Sequence, residues 1–162
     1  MWNMRKILAP TDLSELSLAG IRYAFELAAE TAGEVIVFHV IGYQEAGPVL
    51  NGMEYGYAMA QSSMIDDLVD DHRKQLDEFL GKHLPVSPKI KLRQDVVVGA
   101  PYEKIIEKAA AENVDAIVIS THGRTGLVHA LLGSVAEKVV RLAKCPVLTV
   151  RPTMEKAEQA AA

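Results

Sequence analysis

Much that marks the specialised classes of protein is scarce or missing in this chain. It has one cysteine, Cys145, so no disulfide can close within it and a disulfide scaffold is excluded. Placed before Pro146 at a helix-to-strand junction, Cys145 reads as a small buried thiol. No apolar stretch approaches the roughly 18 residues of a membrane span, and the start, Met1-Trp2-Asn3-Met4-Arg5-Lys6, has no apolar signal region. The expectation is a soluble, cytoplasmic protein without membrane contact. Basic runs are also missing. Lys89, Lys91 and Arg93 alternate and share one face of a strand, and the net charge is −4, so no nucleic-acid partner is expected. There is no G-x-x-x-x-G-K-[ST], no G-x-G-x-x-G and no G-x-S-x-G. No His/Cys/Asp/Glu group has metal-ligand spacing. With no positioned base for an attacking water, the chain is expected to bind a ligand, hydrolysing it slowly at most, with no catalytic residue and no metal ligand of its own.

What is present is apolar material, 49% of 162 residues, enough for one domain with a sizeable core. That domain is placed at residues 1–152, with residues 153–162 as a flexible tail. The organising stretch is Val114 to Arg141. It opens with the unbroken apolar run Ala116–Ile119, which reads as a strand buried on both faces. It then turns small and polar through Ser120, Thr121, Gly123, Thr125 and Gly126. At Gly133-Ser134 a helix opens, where Ser134 and Glu137 have the spacing of a capping box. A buried strand therefore empties into a glycine-rich loop that returns to a helix mouth, where unpaired N–H groups attract anions. A nucleotide's phosphates are expected here.

The rest of the chain alternates. Ile7-Leu8-Ala9 reads as a first strand, stopped by Pro10. Thr11 to Glu15 is rich in helix-start residues, and the helix that follows is expected to end at Gly33 in a left-handed turn. Glu34–Ile41 is a second, central strand. From Gly42 to about Tyr57 periodicity is lost, which predicts a long loop. Ile65, Leu68, Val69, His72, Leu76, Phe79 and Leu80 mark an amphipathic helix. The stretch from Lys89 to Val98 alternates in polarity and predicts an edge strand. Pro101 suits the first turn of the next helix, which Asn113 ends, and Pro146–Val150 is the last strand. His39 reads as a core histidine with its hydrogen bonds satisfied, His72 as core or interface, and His129 as surface.

Five strands alternating with four helices imply an α/β fold, an open, parallel, Rossmann-like sheet with helices on both faces, and the order 3-2-1-4-5 is the one taken for it. Ligands of such sheets bind at the carboxyl ends of the strands where the order reverses. That brings Pro10-Thr11-Asp12 and Ser120-Thr121-His122-Gly123 to one crevice.

These residues resemble the universal stress protein family. The resemblance rests on Pro10-Thr11-Asp12, on Phe38-His39-Val40, and on Ser120-Thr121-His122-Gly123 spaced nine residues from Gly133-Ser134, and it spans about Met4 to Pro152. The ATP-binding branch carries Gly-x2-Gly-x9-Gly-Ser/Thr, which this chain matches except at Ser120. The resemblance implies that Pro10, Thr11 and Asp12 meet adenine and ribose, and that Val40 lines the adenine pocket. It implies that Ser120, Thr121, His122, Gly123, Arg124, Thr125 and Gly126 wrap ribose and phosphates, and that Gly133, Ser134 and Val135 bind phosphate. The implied ligand is ATP, or ADP or AMP, with any Mg2+ or Mn2+ held mainly by the phosphates. Implied too are a homodimer through Pro146 to Val150, an unidentified protein partner, and the role of a nucleotide-sensing stress-response regulator. Two alternatives stand beside it: a family member that binds no nucleotide and acts through protein contacts, and a slow ATPase.

Overall fold

The computed structural model describes residues 4–51, 58–84, 90–123 and 132–152. Five parallel strands form one sheet: β1 (Lys6–Thr11), β2 (Glu34–Ile41), β3 (Lys91–Val98), β4 (Ala116–Ser120) and β5 (Val147–Val150). Their order is β3-β2-β1-β4-β5, the order taken for the fold from the sequence. The helices are α1 (Leu18–Thr31), α2 (Tyr43–Asn51), α3 (Ala58–His83), α4 (Pro101–Glu112) and α5 (Ser134–Leu142), and a 3-10 turn, Glu15–Ser17, precedes α1. None of the described helices is long and apolar enough to cross a membrane.

Side-chain alternation along the strands divides the core in two. Ile7, Ala9, Val35, Val37 and Val118 pack with Ile21 and Ala24 of α1 and with Leu76 and Leu80 of α3. Leu8, Ile36, Phe38, Ile117 and Ile119 face the other way and pack with Ile105 of α4 and with Ala136 and Val139 of α5. Strands β1, β2 and β4 are apolar on both faces because both faces are covered. At the edge, β3 does not keep the expected alternation at its start: Val96 is buried, but the consecutive Lys91 and Leu92 are both exposed.

Several local expectations are corrected. Pro10 does not stop β1, which runs on to Thr11 with Pro10 opposite Phe38. Asp115 N donates to Lys6 O, so by alternation Lys6, Leu8 and Pro10 turn their backbone groups toward β4. Pairing with β4 covers Ile7 and Leu8, so the proline's missing N–H falls where the two strands have already parted. Helix α1 ends with Ala32, at φ 49°, in the left-handed region. Gly33 is required instead by close approach, because a Cβ there would lie 2.6 Å from Arg5 O. The first part of the stretch after Gly42 is not loop, since residues 43–51 form α2; residues 52–57 lie outside the described residues. Glu45 N and Ala46 N both donate to Gly42 O, and Ala46 is buried in the core. That burial outweighs the low helix propensity of Gly47 and Pro48. The fold therefore carries five helices among the described residues rather than four.

Candidate functional site

Between β1 and β4 the strand order reverses, and beyond their carboxyl ends lies a crevice of about 200 Å3. Eleven of the residues singled out in the sequence line it: Pro10, Thr11, Asp12, Val40, Ser120, Thr121, His122, Gly123, Gly133, Ser134 and Val135. Arg124, Thr125 and Gly126 lie outside the described residues, as does His129.

The turn after β1 is built by its own side chains. Thr11 Oγ1 accepts from Leu13 N at 3.0 Å and meets Ser17 Oγ at 2.7 Å. Asp12 Oδ1 accepts from Ser14 N at 3.1 Å and from Ser14 Oγ at 2.5 Å. Asp12 is therefore an Asx-turn residue and not the cap of α1. The 3-10 turn is capped by Ser14, whose Oγ accepts from Ser17 N at 3.2 Å. Leu13 takes φ 64°, an uncommon conformation for a bulky residue. These bonds hold it there and aim the Asp12 carboxylate across the crevice. Its Oδ2 lies against Gly123, where a Cβ would overlap it.

On the far side, β4 ends at Ser120. Its backbone is ordinary strand, outside the left-handed region. Ser120 Oγ donates to Leu16 O at 2.8 Å, tying β4 to the turn before α1. Thr121 Oγ1 and His122 Nδ1 are 2.8 Å apart, and Gly133 N donates to Thr121 O at 2.7 Å, closing the loop on itself. The cap of α5 is Gly133, and Ser134 is the first helical residue, so the capping box does not form. The first amide bonded back into the helix is Glu137 N, to Gly133 O at 2.9 Å. The amides of Ser134, Val135 and Ala136 precede it at the crevice wall, where the positive end of a helix favours an anion.

Sequence reasoning missed the apolar wall. Phe38, Pro101, Ile105 and Ile119 line the crevice together with Val40. Alternation along β2 was enough to find Phe38, two residues before Val40. Pro101 and Ile105 arrive with α4, whose entry beside α5 is a tertiary fact. Among the described lining residues there is no lysine or arginine, and Asp12 is the sole carboxylate. The chemistry on offer is an apolar wall, one carboxylate suited to hydroxyl donors, and a helix mouth suited to an anion. No group of three metal-ligating side chains occurs among the described residues.

Comparison with known proteins agrees with the fold. The model of the universal stress protein family matches residues 3–151. A universal stress protein A homologue of Coxiella burnetii is 36% identical, covering 90% of this chain and 95% of its own. The universal stress protein MJ0531 of Methanocaldococcus jannaschii is 33% identical, covering 91% of this chain and 82% of its own. The solved structure of MJ0577, from the same archaeon, superposes with a TM-score of 0.73 at 30% identity, covering 93% and 98% of the two chains. Two more distant structures share the fold. One is a universal stress protein in complex with cAMP (22% identical, TM-score 0.59, 93% and 99% covered), and the other an Arabidopsis thaliana family protein with AMP bound (16%, 0.52, 93% and 94%).

Proposed function

The chain belongs to the universal stress protein family, and from that premise we propose that its crevice binds an adenine nucleotide, ATP, ADP or AMP, and that it acts as a dimeric nucleotide sensor in the cytoplasm. The observation that carries this reading is the placing of three chemistries around one cavity: the apolar wall of Phe38, Val40, Ile105 and Ile119, the Asp12 carboxylate, and the first amides of α5. A purine suits an apolar wall, ribose hydroxyls donate to a carboxylate, and phosphate suits a helix N-terminus. The cAMP and AMP held by the two distant fold neighbours are ligands of this class. Ser120, which departs from the glycine pattern, adds no backbone strain because it stands in regular strand. Arg124, Thr125 and Gly126 complete the phosphate side in this reading. With one lining carboxylate, already engaged by Ser14, a Mg2+ or Mn2+ ion arriving with ATP would rest mainly on phosphate oxygens.

The test is to denature freshly purified protein, identify released nucleotide by mass spectrometry, and titrate the stripped protein with ATP and AMP by calorimetry. Co-purified adenine nucleotide, or micromolar binding lost in Asp12→Ala and Gly133→Arg, is the expected result. An empty protein indifferent to millimolar ATP with magnesium would overturn the reading.

A further inference from the structure

Where the strand order reverses, β1 and β4 part early. Their pairing joins Ile7 to Ala116 and Leu8 to Ile117, three residues short of the crevice-lining Thr11 and Ser120. Strand pairing therefore does not set the distance between the turn at residues 10–12 and the loop at residues 120–123, which face each other across the crevice.

Side chains take over. Thr11, Ser17 and Ser120 all line the crevice, and they are 7%, 3% and 6% exposed. Their protons can be followed one by one. Ser17 Oγ donates to Ser14 O at 2.7 Å, so Thr11 Oγ1 is the donor in its 2.7 Å bond to Ser17 Oγ. Ser120 Oγ donates to Leu16 O at 2.8 Å, a bond between residues 104 apart in the chain. All three hydroxyl protons go to protein acceptors, so these side chains frame the cavity and do not act as donors to a ligand. The 3-10 turn Glu15–Ser17 is the common piece. Thr11 is bonded to it through Ser17, Asp12 is bonded to its cap, Ser14, and β4 is bonded to it through Leu16. Gly20 makes the last of these bonds possible. A Cβ there would lie 2.8 Å from Ser120 N, so its absence lets the foot of α1 come down onto the end of β4.

We infer that Ser120 is a positioning residue for the nucleotide: its hydroxyl is a strut that sets the separation of the two gripping loops before the ligand arrives. The inference deepens the nucleotide reading and rests on it. Ser120 stands where the pattern of the ATP-binding branch has glycine. A glycine there has no hydroxyl and more backbone freedom, so the ligand itself must order the loops, at a cost in affinity. Restoring the glycine pattern at this position therefore weakens binding.

The experiment compares wild type with Ser120→Ala, which removes the hydroxyl alone, and with Ser120→Gly. Hydrogen exchange is followed at the amides of Leu13, Ser14 and Ser17, which the turn holds through Thr11, Asp12 and Ser14. In both ligand-free variants these amides should exchange about ten-fold faster, while Leu76 and Leu80 of α3 keep their protection. Saturating AMP should return the lost protection. Calorimetry well below the melting temperature should show AMP bound about five-fold more weakly by Ser120→Ala, the worth of one neutral hydrogen bond, and at least as weakly by Ser120→Gly. If Ser120→Gly binds AMP as tightly as wild type or more tightly, the strut has no part in binding and the proposal falls. Unchanged exchange at the three amides also overturns it. Protection lost equally in α3 shows that the hydroxyl holds the whole fold and overturns a positioning role. If wild type binds neither AMP nor ATP while the three amides still exchange faster in the variants, the nucleotide reading fails and the strut remains as a brace of the turn alone.

Discussion

Gly123 faces Asp12 so closely that a Cβ would overlap the carboxylate. Replacing it tests the site more than the fold, because the obstructing atom is the end of a side chain that can turn away. Gly123→Ala should cost little stability, about 0.5 kcal/mol. Displacing the carboxylate should weaken AMP binding about ten-fold, the value of one charge-assisted hydrogen bond. Thermal melting and calorimetry on the same preparation check both halves. Gly20 is the opposite case. A Cβ there would lie 2.8 Å from Ser120 N and 3.1 Å from Ile119 C, which are backbone atoms of β4. Gly20→Ala must push α1 off the sheet and should cost about 2 kcal/mol in urea unfolding. Gly81 in α3 has nothing within 4 Å of a Cβ; Gly81→Ala should stabilise by about 0.5 to 1 kcal/mol through helix propensity. If Gly20→Ala and Gly81→Ala change stability alike, the close packing of α1 on β4 is refuted.

Among the elements, α4 is bound to the sheet at the end remote from the crevice. Glu112, its last residue, accepts from Arg93 Nη1 and Nη2 at 3.0 and 2.8 Å. Lys108 approaches to 3.1 Å, and Lys6 Nζ donates to the Glu112 carbonyl at 3.0 Å. The hydrogen bonds from Arg93 and then Lys108 outweigh partial burial and hold the Glu112 carboxyl down at about 2, below its usual 4.5. A depressed carboxylate stabilises the fold fully above its unfolded value, and this stabilisation is lost as pH falls through the folded one. Glu112→Gln should therefore cost about 1 kcal/mol at neutral pH, the upper end for partly exposed ion pairs. The gap from wild type should close as pH falls from about 4.5 toward 2. A gap constant over that range in denaturant titrations would refute the assignment. Elements also show where sequence reading stops. Pro101 at the head of α4 and left-handed Asn113 at its end follow local rules and lie where the sequence placed them. Helix α2 breaks local rules at Gly47 and Pro48, and burial of Ala46 overrides them. The Ser134–Glu137 box failed by one residue, since Gly133 takes the extended cap conformation, φ −66° and ψ 153°.

For the whole molecule, the sheet has two edges, and β5 is the apolar one. Val140 and Leu142 of neighbouring α5 are exposed, and β5 has a partner on the β4 side only. Ile117 N donates to Pro146 O and Thr121 N to Val150 O. By alternation, Val147 and Thr149 turn their N–H and C=O groups outward. The proposed homodimer uses this edge, so Thr149→Pro should remove an outward donor while sparing the bonds to β4. Sedimentation should then show monomer with melting lowered only modestly; a dimer unaffected by Thr149→Pro would exclude pairing through β5. At this scale the division between sequence and structure is clear. Sequence alone determined the five strands, their alternation with helices and the parallel sheet, and under the order 3-2-1-4-5 it brought Pro10-Thr11-Asp12 to Ser120 to Gly123. These follow from apolar runs, period and right-handed crossovers, which are local signals under one general chirality rule. Only the tertiary structure decided the apolar wall from α4, the Asp12–Gly123 contact, the bond from Ser120 to Leu16, and the contact of His39 with His72. Those join residues from different elements through side-chain direction and packing depth, which no spacing along the chain encodes.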